Sequence, residues 1–378
     1  MDLGLTESQQ MLKNSAREFL EREFPYTYVR EMEENERGYT SEMWRKLTEL
    51  GWLGLAFPEE FGGAGGDLLD LCIVLEEMGR ALLPGPFFSS VVLAGLTILE
   101  AGTEAQKKEI LPKIADGNLT ATLAITEPSA RWDAGGIQDV KAIHREGEYI
   151  LNGTKLFVQN AHVSDYLVVA ARTRKAVNPE KGLTLLIVPT NAPGISQTVL
   201  KTIASDRQSE VIFKNVKVPV GALLGTHGGG WPIVRRALQR AAAAKSCEMV
   251  GGAEKVLELT VDYAKERIQF GRPIGSFQAI QHHCANMTVD VEGAKYIAYQ
   301  AAWALTQGYD PTSQVAAAKA WVSDASRRVC ALAHQCHGAI GFTKEYDLQL
   351  FTRRAKAGEL LYGDADFHRE TVARALGL

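Results

Sequence analysis

The stretch ELLYGDADF, Glu359 to Phe367, gathers side chains able to handle protons: Glu359, Tyr362, Asp364 and Asp366, directly after the basic run Arg353-Arg354-Ala355-Lys356. A carboxylate here could serve as a general base, because it is ionised at neutral pH and burial raises its proton affinity. A phenol, with an ordinary pKa of about 10, is first a hydrogen-bond donor. The same residues also suit the solvated end of a helix, so the segment alone does not decide.

Other clusters offer less. Gly62-Gly63-Ala64-Gly65-Gly66 precedes a helix but follows no strand, and reads as a turn between helices. His334, Cys336 and His337, with His282-His283 upstream, have no carboxylate in register, so no metal site is expected. The chain contains no G-x-G-x-x-G after a strand, no G-x-x-x-x-G-K-[ST] and no G-x-S-x-G, which removes two common nucleotide cradles and the serine-hydrolase elbow.

The elements that must position these residues follow from texture. The 378 residues are 46% hydrophobic and 23% charged, with a net charge of -4 and both signs interspersed. That is a soluble globular profile, without the clustered basic surface that nucleic acid requires. Runs such as Leu167 to Ala171 are far too short to span a membrane. The opening MDLGLTESQQ has neither a basic nor an apolar signal region, so no signal peptide is expected. Cys72, Cys247, Cys284, Cys330 and Cys336 form no C-x-x-C pair, which predicts reduced thiols in a cytoplasmic protein.

Up to about residue 119 the pattern is helical. Thr6 opens a capping box with Gln9 ahead of Leu12, Ala16, Phe19 and Leu20; Ser41 is placed to cap a second helix, and Thr103 starts a later one. From 120 to 228 short β-rich runs (TATLAITE, EYILNGTKLFV, DYLVVAART, LTLLIVP, SEVIFKNVKV) alternate with turn residues, as in an antiparallel barrel or sandwich. Beyond 229 the pattern predicts helices over 232–266, 278–307, 312–338 and 346–376. The class is thus α+β: an N-terminal helical domain (1–119), a middle β domain (120–228) and a C-terminal helical bundle (229–378).

Five phrases lie along this order: AITEPSA (124–130), NGTKLFVQNAHVSDYLVVAART (152–173), FKNVKVP (213–219), ERIQFGRPIGSFQAIQHHCANM (266–287) and QCHGAIGFTKEYDLQLFTRRAK (335–356). Together with PEEFGGAGG they resemble the acyl-CoA dehydrogenase family over nearly the whole chain. The resemblance implies a helical domain, a β-barrel and a four-helix bundle, assembled as a tetramer around FAD. It implies α,β-desaturation of an acyl-CoA thioester, hydride passing to flavin N5, and an electron-transfer flavoprotein as acceptor. Ile125 and Thr126 then match the strand edge bonded to the pyrimidine side of the flavin. Phe157 matches an aromatic position against the ring system, and Gln159 a polar one near N5. Arg267 matches an arginine that reaches the FAD pyrophosphate of a neighbouring subunit, with Phe270 and Gln278 in the same phrase. Gln335, Gly338 and Ala339 match the segment passing the pyrophosphate and ADP, Ala339 standing where the family more often has glycine.

The chain departs from the family pattern twice. After AITEP the family continues to a glycine-serine-aspartate turn; here Arg131-Trp132-Asp133 follows, placing Trp132 in the substrate pocket. Counting from Arg354-Ala355-Lys356, the family's catalytic glutamate falls on Tyr362, followed by Gly363. The other place some members use falls on Ala241. The resemblance gives Tyr362 a hydrogen-bonding or wall role, its backbone N–H polarising the thioester carbonyl. Asp364 and Asp366 replace positions that bond FAD, and Asp364 is the candidate for an unusual base; Glu248 and Glu359 are further acids nearby in sequence. Three expectations follow: a homotetrameric dehydrogenase with an unusual base, the base-lacking subunit of a heterotetramer with a paralogue, or a silent acyl-CoA-binding scaffold.

Overall fold

The computed structural model describes residues 4–308 and 310–378. Helices α1 (Glu7–Glu23), α2 (Tyr26–Glu34), α3 (Ser41–Glu49), α4 (Leu68–Ala81), α5 (Leu96–Ala101) and α6 (Glu104–Ala115) come first. Strands β1 (Ala121–Ala124), β2 (Lys141–Arg145), β3 (Glu148–Gln159), β4 (Tyr166–Arg172), β5 (Leu183–Pro189), β6 (Ile195–Leu200), β7 (Gln208–Pro219) and β8 (Leu223–Leu224) follow. After α7 (Trp231–Glu266) a small hairpin pairs β9 (Ile268–Gln269) with β10 (Arg272–Pro273). The chain ends with α8 (Gln278–Thr306), α9 (Thr312–His337), α10 (Leu348–Leu360) and α11 (Ala365–Ala375).

Two compact units result: a sheet unit of residues 32–67 and 84–241, and a bundle unit of residues 1–31, 68–83 and 242–378. In the sheet unit the strands lie in the order β6-β7-β3-β2-β4-β5-β8, with β1 on β4. Alternating inward residues such as Leu151, Leu167, Val169, Val211 and Phe213 make its core. The sheet is mixed where the sequence predicts an antiparallel one, because β1 runs parallel to β4. A parallel pair needs a long crossover, and the β2–β3 hairpin supplies it. Trp44 donates its indole N–H to the Gly117 carbonyl at 2.9 Å, tying α3 to the end of α6.

The expected capping boxes form at Thr6–Gln9 and Thr103–Gln106. The cap of α3 is Thr40, whose hydroxyl accepts from Met43 N, and Ser41 is the first helical residue. An extended residue with a free oxygen caps better than the one after it, already committed to helical dihedrals.

In the bundle unit Val256, Met287, Val291, Val329, Leu348 and Phe351 share one core. Polar groups are buried there too: the Lys13 ammonium meets Glu76 at 2.6 Å, and the Tyr299 hydroxyl donates to the same carboxylate. The helix predicted over 346–376 is in fact two, α10 and α11, parted at Leu361 to Asp364. Glycine at the end of one helix and aspartate at the start of the next are the usual punctuation for such a break.

Candidate active site

The break between α10 and α11 coincides with the residues that opened the sequence question. Helix α10 ends where the Leu361 N–H donates to Ala357 O at 3.2 Å. Tyr362 then adopts φ 61°, a left-handed conformation that a bulky residue rarely takes, and its side chain is buried at 5% exposure. Gly363 follows at φ 97°, where an added Cβ would lie 2.5 Å from a Phe367 ring carbon, so both dihedral and space require glycine.

Two buried side chains hold this turn from inside. Lys319 of α9 donates to the carbonyls of Glu359 and Gly363, both at 3.0 Å, and to Ser323 Oγ at 3.1 Å. His368 of α11 lies with Nε2 2.9 Å from the Tyr362 carbonyl, which makes that nitrogen the donor. Burial pushes the Lys319 ammonium down to about 7, against the pull of Glu359. Burial likewise pushes His368 down to about 4, with Lys319 acting in the same direction.

The carboxylates near the turn have other partners. Asp364 caps α11, its Oδ1 accepting from Phe367 N at 2.9 Å. Asp366 pairs with Arg369 at 2.8 Å and its side chain is 89% exposed. Glu359 meets Lys356 at 3.2 Å, and Glu248 meets Lys245 at 2.6 Å. Ala241 is fully buried within α7 and brings no polar atom.

A second constellation lies in the sheet unit. Ile125 and Thr126, both buried, follow β1 and meet β3: Lys155 Nζ donates to Ile125 O at 2.8 Å, and Leu156 N to Thr126 O at 2.9 Å. Lys155 also meets Glu127 Oε1 at 2.8 Å, a buried ion pair with side-chain exposures of 0% and 2%. Burial pushes the Lys155 ammonium down to about 8 while Glu127 pulls the other way. The Glu127 carboxylate accepts from Gln138 N and Asp139 N, both at 2.5 Å, and from Val140 N at 3.1 Å. Arg172 grips the same loop, donating to Ala134 O at 2.9 Å and Ile137 O at 3.0 Å. Trp132, half-buried, rides on this loop between Arg131 and Asp133, which pair at 2.5 Å. On β3 the register to β7 shifts between Lys155 and Val158, and there Phe157 takes φ 55° and is 45% exposed. Gln159 ends the strand opposite Gln208.

A third group lies in the bundle unit. Arg267 precedes β9; its guanidinium is exposed and has no side-chain hydrogen bond or ion pair among the described residues. Phe270, at φ 53° and 93% exposed, sits in the β9–β10 turn. Gln278 starts α8 and Gln335 stands near the end of α9, both exposed. Gly338, at φ 66°, has open space where a Cβ would be, and the exposed Ala339 follows it. Of the four aromatic residues singled out from sequence, Phe157, Phe270 and Tyr362 carry left-handed backbone and Trp132 does not. Such strain persists at functional sites.

A helical start, a β domain and a helical bundle carry these three groups of residues. Residues 6–118, 122–216 and 228–377 match the N-terminal, middle and C-terminal domains of acyl-CoA dehydrogenase. The chain belongs to the acyl-CoA dehydrogenase family. It is 35% identical to an acryloyl-CoA reductase (NADH) of Anaerotignum propionicum, over 99% of this chain and 95% of that one. It superposes on butyryl-CoA dehydrogenase from Megasphaera elsdenii with TM-score 0.92 and 31% identity, covering 100% of both chains. It also superposes on one chain of the ChsE4-ChsE5 complex from Mycobacterium tuberculosis with TM-score 0.91 and 27% identity, covering 100% of this chain and 99% of that one.

The family's cofactor is FAD, and the residues present fit it. An exposed guanidinium without an internal partner and two exposed amides are the donors a pyrophosphate takes, and the open space at Gly338 lets backbone approach it. Sequence reading missed Lys155, Arg172, Lys319 and His368. In Lys319 the signal was present: it shares a helical face with Val315, Val322 and Ser326, all buried.

Proposed function

We propose that the chain is an FAD-dependent oxidoreductase of acyl-CoA thioesters in which Tyr362 takes the place of the family's catalytic glutamate. The observation carrying this reading is the turn itself. Tyr362 is buried and strained between two helices, its carbonyl bonded by the buried His368 and that of Gly363 by the buried Lys319. Arg267, Phe270, Gln278, Gln335, Gly338 and Ala339 would hold the pyrophosphate and ADP of the cofactor, Arg267 reaching that of a neighbouring subunit. Ile125 and Thr126 would bond the pyrimidine side, with Phe157 and Gln159 at the ring. FAD, when bound, supplies the acceptor for hydride from the β-carbon. Trp132 narrows the acyl pocket, and the Tyr362 N–H bonds the thioester carbonyl, which acidifies the α-proton.

The α-proton itself needs a base, and an un-ionised phenol is a poor one at neutral pH. Asp364 is the carboxylate nearest in sequence, but its oxygen serves the α11 cap. That capping bond favours the reading in which a paralogous partner chain brings the glutamate, in a heterotetramer passing electrons to an electron-transfer flavoprotein in the cytoplasm.

Anaerobic titration with straight, branched and cyclic acyl-CoAs tests this, on the chain alone and co-expressed with a glutamate-bearing paralogue. We expect the chain alone to bleach only slowly and the pair with its partner to bleach at full rate, and Asp364→Asn to leave both unchanged. Full bleaching by the chain alone, lost in Asp364→Asn with flavin retained, would make Asp364 the base. Protein that never takes up flavin would leave only the scaffold reading.

A further inference from the structure

We propose that Lys319 is a positioning residue for the acyl site: its ammonium, together with the His368 imidazole, sets the backbone of the Tyr362-Gly363 turn and so the direction of the Tyr362 N–H and phenol. The proposal rests on the reading that this turn meets the thioester. The geometry is specific. An ammonium has three N–H donors, and Lys319 finds three acceptors at 3.0–3.1 Å: Ser323 Oγ on its own helix, Glu359 O at the end of α10 and Gly363 O beyond Tyr362. His368 takes the carbonyl between, that of Tyr362. Carbonyls ending a helix are ordinarily met by water or by following backbone N–H groups. Here the buried side chains of Lys319 and His368, from two other helices, meet them, which orients the peptide planes on both sides of Tyr362.

Burying an ammonium without a carboxylate in contact is unfavourable, so capping alone does not account for it. The charged and titratable groups facing Lys319 are Glu359 on α10, Lys245 on α7, Asp364 in the turn and His368 on α11. Burial and Lys245 favour the neutral amine, Glu359 and Asp364 the ammonium, and the balance lies at about 7. Deprotonation leaves two N–H donors for the two carbonyls, with Ser323 able to turn its hydroxyl toward the amine, but those bonds lose their charge assistance, so the turn should loosen as pH rises through neutrality.

Hydrogen exchange by mass spectrometry on the full-length, flavin-loaded protein reads the turn without any substrate. In wild type, protection of a 358–366 peptide, corrected for intrinsic exchange, should fall by roughly threefold or more between about pH 6 and 9. In Lys319→Met it should be lower by about tenfold at every pH, while a 278–306 peptide from α8 is unchanged. Lys319→Arg, which stays charged, should give a flat profile with protection retained. If Lys319→Met does not fold, His368→Gln is compared in the same way, and the wild-type profile stands by itself. A flat wild-type profile, unchanged protection in the variant, or a loss spread evenly over α8 would each overturn the proposal. Failure of acyl-CoA to perturb the flavin would instead overturn the substrate reading alone.

Discussion

Two fully buried lysines, one in each unit, solve the same problem differently. Lys155 in the sheet unit meets the Glu127 carboxylate at 2.8 Å and also holds the Ile125 carbonyl. Lys319 in the bundle unit meets only a hydroxyl and two carbonyls. Burial lowers both ammoniums: Lys155 to about 8 against the touching Glu127 carboxylate, and Lys319 to about 7 against Glu359 and Asp364, neither of whose carboxylates it bonds. A charge pair makes a fixed joint; a cation held by dipoles makes one that can change near neutral pH. The fixed joint secures the loop bearing Trp132, and the responsive one secures the turn bearing Tyr362.

Breaking the charge pair should have the largest effect. Lys155→Met leaves a buried carboxylate without its cation, and chemical denaturation should show a loss of about 3–5 kcal/mol. The double change Lys155→Met with Glu127→Leu should recover a large part of that loss, since a buried pair is costly mainly when half of it remains.

Next in size comes the acid side of the bundle turn. His368 has a folded pKa of about 4, below its unfolded value of about 6.5, so the unfolded chain binds more protons between these values. Its contribution is fully present above pH 6.5 and is lost as pH falls through about 4, by as much as about 3 kcal/mol. Denaturation midpoints of wild type and His368→Gln across that window should converge toward low pH; parallel curves would show that His368 is not the titrating group.

Smaller still is the cap of α11. Asp364→Ala should cost about 1 kcal/mol and Asp364→Asn far less, because asparagine caps nearly as well. A large loss of turnover in Asp364→Asn with unchanged stability would sharpen the contrast differently, by giving this carboxylate the proton.

These effects lie where the sequence was least readable. Helix caps at Thr6 and Thr103 and the strand texture of 120–228 were legible, since both rest on local spacing. The phrases around Ile125, Phe157, Arg267 and Gly338 carried the cofactor reading through resemblance. The break at Tyr362-Gly363 was missed because Leu360, Leu361 and Tyr362 continue a helical pattern, and only Gly363 and Asp364 mark its end. Lys319 was missed for another reason: periodicity counts a lysine as surface, and its burial depends on α10 and α11 folding back on α9. The parallel β1–β4 pairing likewise joins segments far apart in sequence, whose register no local pattern fixes.

The central claim is that Tyr362 stands where the family's base stands and does not itself move the proton. Tyr362→Glu, compared with wild type and Tyr362→Phe in anaerobic flavin bleaching by butyryl-CoA and the branched and cyclic thioesters, tests it most directly. The account predicts that the chain alone bleaches slowly, that Tyr362→Phe changes this little, and that Tyr362→Glu raises the rate by about a hundredfold or more, the scale of general-base catalysis. A glutamate that gives no gain with flavin bound and a binding thioester, or a phenylalanine that abolishes bleaching, would contradict it.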